Sequence, residues 1–325
     1  MTDATPDLAQ IAERLAAVTK ARASAPRIKE GVLTLVLDVG GLSEDQRAVM
    51  EAAVRAEMRD VPAITQVRVA MTAEKKTLQI IAVGSGKGGV GKSTLSANLA
   101  IALHRLGHRV GLVDADIYGP SQPRLMGSEG EKPTAEGKQM IPIVSPSGVP
   151  MLSMGHLVDP GQAIAWRGPM AGNALGQLLD ARWVDVDTLI VDLPPGTGDV
   201  QLSMMSKHKP AGAIIISTPQ DLALMDATRA VSLFEQVDVP LIGLVENMAG
   251  YVCPHCGEVS DPFGQGGAEA AAAHMGMPFL GRIPLAIGIR TASDAGLPPA
   301  GGGASEAAPF LAIAGKLLEW LDARK

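Results

Sequence analysis

One stretch of this chain leaves few folds open. The apolar run LQIIAV, Leu78–Val83, has the length and composition of a buried strand, and Lys92–Leu106 has a helical pattern. Between them, Gly86-Lys87-Gly88-Gly89-Val90-Gly91-Lys92-Ser93 satisfies G-x-x-x-x-G-K-S/T. Glycines there let backbone N–H groups turn inward around phosphate oxygens, and the helix N-terminus adds its dipole. Lys92 is expected to reach the β/γ-phosphates and the Ser93 hydroxyl to ligand Mg²⁺, with Thr94 closing the loop. Such a loop commits the chain to a layered α/β fold, because it needs a strand behind it and a helix ahead.

The rest of residues 77–325 agrees. Arg109–Asp114, Thr188–Asp192, Ala213–Ser217 and Leu241–Glu246 read as short apolar strands, and Asp221–Val237 as a helix between two of them. Continuous apolar strands separated by helices predict a doubly wound, mostly parallel sheet. Ligands on such sheets sit at the carboxyl ends of the strands. Aromatic residues make up only 3%, so the core must be built from Ala, Val, Ile, Leu and Met. Residues 1–76 read as a small α+β module: a helix over Leu8–Val18, a strand within Gly31–Val39, a helix capped by Ser43, and a strand at Val67–Met71. Thr72–Thr77 reads as a linker. Gly301–Ser305 (GGGAS) reads as a flexible hinge before a final amphipathic helix, PFLAIAGKLLEWLDARK, expected to pack on its own domain.

Charge excludes some partners. The basic and acidic residues balance at 11 each up to Leu78, with 17 basic against 23 acidic beyond it. Non-specific nucleic-acid binding needs a basic face, so none is expected. No run approaches the roughly 18 apolar residues of a membrane span. Met1–Gln10 is polar and acidic, which does not read as a signal peptide. A soluble cytoplasmic protein that binds neither membrane nor nucleic acid is the expectation.

Two acidic elements lie at strand ends. RVGLVDAD ends in Asp114 and Asp116, and LIVDLPPGTGD carries Asp192 at the end of its strand. Carboxylates beside bound phosphates make chemical sense with Mg²⁺ or water to manage. Asp192 fits the role of holding Mg²⁺ through water. Asp114 reads either as support for that shell or as a helix cap.

Cys253 and Cys256 are the only cysteines, in Cys253-Pro254-His255-Cys256-Gly257. A redox pair of the thioredoxin type starts a helix, which the following Gly-Glu-Val-Ser-Asp-Pro does not resemble. A zinc knuckle wants four protein ligands, and one chain supplies two thiols. A symmetric dimer would bring four thiolates together, which suits an iron–sulfur cluster or zinc.

The run KGGVGKST resembles the deviant Walker A motif of the superfamily that holds nitrogenase iron protein and the septum-site and partition ATPases. The words GSGKGGVGKST, VGLVDADIYGPSQP, AWRGPM, LIVDLPPGTGD, STPQDLALMDA, GLVENMAG and CPHCG resemble, in order, the Mrp/ApbC family of iron–sulfur cluster carrier ATPases. The resemblance implies a homodimer that binds and slowly hydrolyses ATP. It implies a 4Fe–4S cluster bridging the Cys253 and Cys256 pairs of two subunits, received from assembly factors and passed to apo iron–sulfur client proteins. It implies that Lys87 reaches the partner's nucleotide phosphates, that Asp116 orients the attacking water, and that Asn247 reads the adenine edge, with Pro284 near the purine. Arg167, in AWRGPM, reads as support for the dimer or the nucleotide site, or as a plain partner of an acid. Residues 1–71 resemble a MIP18-like module in which AVTKARASAPRIKEG replaces the usual turn and following strand. Rival readings are a positioning ATPase of the septum-site or partition type and a zinc-bridged, nucleotide-gated adaptor.

Overall fold

A computed structural model describes residues 7–324 apart from 41, 43, 73–77, 138, 158–167, 197 and 304. The chain divides into two compact units, Met1–Thr77 and Leu78–Lys325. Ser43, most of the Thr72–Thr77 stretch and Arg167 lie outside the described residues, so the readings placed on them have no structural counterpart here.

The smaller unit contains α1 (Leu8–Thr19), β1 (Arg27–Lys29), β2 (Val32–Asp38), α2 (Glu44–Glu57) and β3 (Gln66–Thr72). Asp7 caps α1, accepting from Ala9 N–H at 2.9 Å. Its sheet runs β1-β2-β3, and Leu33, Leu35 and Leu37 alternate inward from β2 onto Ile11, Leu15, Val54 and Met58. The segment expected to lack a strand does carry one, the three-residue β1. Glu30 and Gly31 both have positive φ, 51° and 77°, and the two-residue turn they form returns the chain directly into β2.

The larger unit opens with β4 (Gln79–Gly84), α3 (Lys92–Arg105), β5 (Val110–Asp114) and α4 (Gln122–Leu125). A small hairpin follows, β6 (Thr134–Glu136) with β7 (Gln139–Ile141), then β8 (Ile143–Val144) and β9 (Pro150–Ser153). Next come α5 (Gly168–Leu179), β10 (Thr188–Asp192), α6 (Asp199–Lys207), β11 (Gly212–Ser217) and α7 (Asp221–Gln236). The chain ends with β12 (Leu241–Val252), β13 (Val259–Ser260), α8 (Gly267–His274), β14 (Phe279–Leu285), α9 (Ile287–Asp294) and α10 (Ala308–Asp322).

The main sheet runs β13-β12-β11-β4-β10-β5-β9-β8, with β14 also paired to β12. Every described pairing is parallel except the edge pairs β12–β13 and β8–β9. One face is covered by α5, α6, α7 and α8 around Trp183, Leu175 and Phe234; the other by α3, α9 and α10 around Leu99, Phe310 and Leu317. This is the doubly wound arrangement, and its strands β5, β10 and β11 are buried at every residue, as burial on both faces requires.

Two details differ from expectation. β12 continues six residues past Glu246 because its second half gains partners in β14 and β13. Gly301–Ser305 is not a free hinge: Pro299–Gly301 and Ser305–Ala307 are 3₁₀ turns, and Arg105 donates to the carbonyls of Ala300 (2.5 Å) and Gly302 (2.6 Å). As expected, α10 buries Phe310, Ile313, Ala314, Leu317 and Leu321 in its own unit. Among the described residues, no helix is long and apolar enough to cross a membrane.

Candidate functional site

Parallel pairing sets the carboxyl ends level. Asp192 lies in register with Val83 of β4 and Asp114 of β5, and Asp114 with Ser153 of β9. The phosphate loop therefore leaves β4 beside the two acidic strand ends. Its glycines are needed for different reasons. At Gly86 a Cβ would lie 2.0 Å from the Asp226 carbonyl of α7, so only glycine permits that approach. Gly91 has φ +88°, and a Cβ there would lie 2.1 Å from Asn247 Nδ2. Gly91 is also the N-cap of α3 and offers its first turn no side-chain acceptor, which leaves those N–H groups for an anion.

Lys92 is buried, with Nζ 2.7 Å from Asp192 Oδ1 and 3.9 Å from Asp116 Oδ2. Asp192 has further partners: Ser96 Oγ lies 3.0 Å from Oδ1, and Gln122 Nε2 donates to Oδ2 at 2.9 Å. Gln122 Nε2 also donates to the Ser93 carbonyl at 2.9 Å. Asp114 Oδ1 accepts from Asp116 N–H, and its Oδ2 accepts from Gln122 N–H and the Ser153 hydroxyl. Burial, reinforced by the Asp192 charge, pushes the Asp114 carboxyl up to about 7 despite those donors. Its bond to the first N–H of α4 makes it a helix cap across the loop. Asp116 Oδ1 accepts from Tyr118 and Gly119 N–H at 3.0 and 3.2 Å, tying its loop into a tight turn. After β10, Gly196 N–H donates to the Ser85 carbonyl and Gln201 Nε2 to the Pro194 carbonyl, so the Pro-Pro-Gly loop touches the phosphate loop.

The expected residues Gly86–Thr94, Asp116 and Asp192 thus come together. Lys87 is half-buried at the loop's start and Asn247 sits beneath the loop, its Nδ2 donating to the Val90 carbonyl at 2.8 Å. Asp226 is paired with Arg229 at 2.8 Å, and its backbone carbonyl is the group facing Gly86. Sequence reasoning assigned nothing to Ser96, Gln122 or Ser153. Ser96 lies one helical turn after Lys92 and was open to detection; Gln122 and Ser153 meet the aspartates only through the fold.

The cysteines occupy the turn of the β12–β13 ribbon. Tyr251 pairs with Ser260 and Val252 with Val259; Cys253 N–H then donates to the Glu258 carbonyl, and Gly257 N–H to the Cys253 carbonyl. The backbone N–H groups of Cys256 and His255 hold the Cys253 thiol below the usual thiol range, favouring the thiolate that binds metal. Both thiols are free, and Cys256 is exposed. Among the described residues no third His, Cys, Asp or Glu joins them in a metal-ligand group.

Comparison with known proteins decides the class. The family model described as ParA, NUBPL iron-transfer P-loop NTPase, matches residues 76–318. The chain belongs to this family of iron-transfer P-loop NTPases. Among relatives of this NTPase, the iron-sulfur cluster carrier protein of Pseudomonas fragi is 48% identical over 223 residues, 68% of this chain and 78% of that one. The iron-sulfur cluster carrier protein of Escherichia coli K12 is 48% identical over 221 residues, covering 67% of this chain but only 60% of the relative. The solved nucleotide-binding protein of Archaeoglobus fulgidus in complex with ADP is 39% identical with a TM-score of 0.60, covering 68% of this chain and 87% of that one. The cell division ATPase MinD of Pyrococcus furiosus, 22% identical with a TM-score of 0.57 over 74% of this chain and 99% of that one, shares the fold.

Proposed function

We propose that this NTPase is an ATP-dependent iron–sulfur cluster carrier that works as a homodimer. ATP binds at Gly86–Thr94 and is slowly hydrolysed. A 4Fe–4S cluster is its cargo, seated between the Cys253 and Cys256 pairs of two copies and passed to apo iron–sulfur proteins. The observation that carries the reading is the Cys253 and Cys256 pair, with the Cys253 thiol held towards thiolate, on a ribbon that grows from the strand beneath the phosphate loop.

Lys92 would leave Asp192 to meet the phosphates, freeing a carboxylate that could hold Mg²⁺ through water. Ser93 Oγ, Asp192 and Gln122 Oε1, which is buried with no partner among the described residues, are oxygens of the kind a hard divalent ion takes. Bound there, Mg²⁺ would neutralise phosphate charge. Asp116, held by its turn, orients the attacking water. Lys87 reaches the nucleotide of the partner copy, and Asn247 reads the adenine edge. Tyr118, Leu222 and Met225 are exposed, and the exposed pair Val252 and Val259 flanks the thiols; a second copy is the partner that would cover the apolar surface beside the thiols.

Anaerobic reconstitution tests the proposal. Wild-type protein should gain about four iron and four sulfide per two chains, and Cys253→Ser or Cys256→Ser should hold almost none. Wild-type protein that gains no cluster, or a Cys253→Ser form that holds as much, refutes it. Zinc instead of iron in protein purified without air favours the nucleotide-gated adaptor.

A further inference from the structure

Gln122 is fully buried, and its side chain touches two parts of the nucleotide site at once. Both acceptors facing its amide, the Ser93 carbonyl and Asp192 Oδ2, lack hydrogens. The nitrogen must therefore face them, since a flipped amide would set oxygen against oxygen. Its two N–H bonds are then used, and Oε1 is left buried without a partner among the described residues. An orphaned buried carbonyl oxygen is costly and rarely retained without a ligand to meet it. The backbone of the same residue is held too, through Gln122 N–H to Asp114 Oδ2. One residue thus joins the Asp114–Asp116 loop, the helix bearing Ser93, and Asp192.

We propose that Gln122 is a positioning residue for the divalent cation that accompanies the nucleotide. Its nitrogen holds Asp192 in place when Lys92 departs, and its free oxygen accepts a hydrogen bond from the water shell of the cation. This rests on the reading that a metal–nucleotide complex occupies the phosphate loop.

The test is Mn²⁺ binding followed by electron paramagnetic resonance with saturating ADP, alongside ADP affinity in excess EDTA. Gln122→Met keeps the shape and removes both polar atoms. It should weaken Mn²⁺ binding about tenfold, and by more than it weakens metal-free ADP binding. Gln122→Glu keeps an oxygen and adds charge. It should bind Mn²⁺ more tightly than Gln122→Met, yet melt lower than wild type without metal, because a third carboxylate joins Asp114 and Asp192. A residue that only fills space would move melting temperature and leave Mn²⁺ affinity alone. Wild-type Mn²⁺ affinity in Gln122→Met, or Gln122→Glu no tighter than Gln122→Met, overturns the proposal; should Gln122→Met not fold, wild-type Mn²⁺ affinity in Gln122→Ala, which also lacks both polar atoms, overturns it. If wild-type protein itself takes no Mn²⁺ with ADP, the metal–nucleotide reading fails, and this inference falls with it.

Discussion

Replacing Lys92 by methionine isolates the charge pair at the centre of the candidate site. Lys92 and Asp192 sit 2.7 Å apart with side chains 7% and 0% exposed. At an effective dielectric of about 20 their attraction is about 6 kcal/mol. Desolvating each ion costs several kcal/mol, so the pair contributes little net stability. Removing one member is different, because it strands the other in the interior at a cost of roughly 3–5 kcal/mol. Asp192 retains Ser96 and Gln122 as neighbours, which puts the expected loss near the lower end, about 3 kcal/mol. For a unit of this size each kcal/mol moves the melting temperature by about 2–4 °C, so Lys92→Met should melt about 6–12 °C below wild type without nucleotide. The probe is built in: Trp166, Trp183 and Trp320 all lie in the larger unit, so tryptophan emission reports its unfolding alone. Adding Asp192→Asn removes the stranded charge and should recover most of the loss. A Lys92→Met protein melting within about 2 °C of wild type, or a double variant no more stable than the single, would refute this reasoning.

Three further outcomes follow from the geometry. Asp114 is raised to about 7 and His156 lowered to about 4, each chiefly by burial. The raised acid favours the fold below its unfolded value near 4, and that stability is lost as pH climbs towards 7. The depressed base works oppositely: its contribution is present above about 6.5 and is lost as pH falls towards 4. Chemical denaturation from pH 4 to 7 should therefore tilt upward with pH in Asp114→Asn and downward in His156→Gln, relative to wild type; parallel profiles would contradict both assignments. Gly86→Ala drives a Cβ into the Asp226 carbonyl, a backbone atom that cannot swing aside, so fluorescent ADP should bind more than about tenfold more weakly, a loss of 1.4 kcal/mol or more. Phe310→Ala empties a fully buried site between α10 and the sheet and should cost roughly 3–5 kcal/mol in urea titrations.

The larger unit was legible because its signals are local. Strands buried on both faces must be apolar throughout, and the phosphate loop announces its own strand and helix. Asp114 and Asp192 could be placed near phosphate because each ends such a strand, and Asp116 because it lies two residues beyond one. What escaped depends on contacts distant in sequence. Gln122 is 70 residues from Asp192 and Ser153 is 39 from Asp114; nothing beside either residue in the chain marks the partner. The second half of β12 carries Asn, Met, Ala and Gly, a poor strand composition overridden by pairing on both sides. The glycine run at 301–303 reads as slack until Arg105, almost 200 residues earlier, is found holding it.

β12 carries both kinds of chemistry on one piece of backbone. Asn247 braces the phosphate loop, and six residues on, at most about 20 Å of extended chain, Cys253 opens the thiol turn. Between them the pairing with β14 breaks register, and Met248 and Gly250 take positive φ, 60° and 76°. This elbow joins the thiol turn to the brace of the phosphate loop. A thiol ribbon of this kind cannot be excised and grafted as a module, because its first strand is also the floor of the nucleotide site.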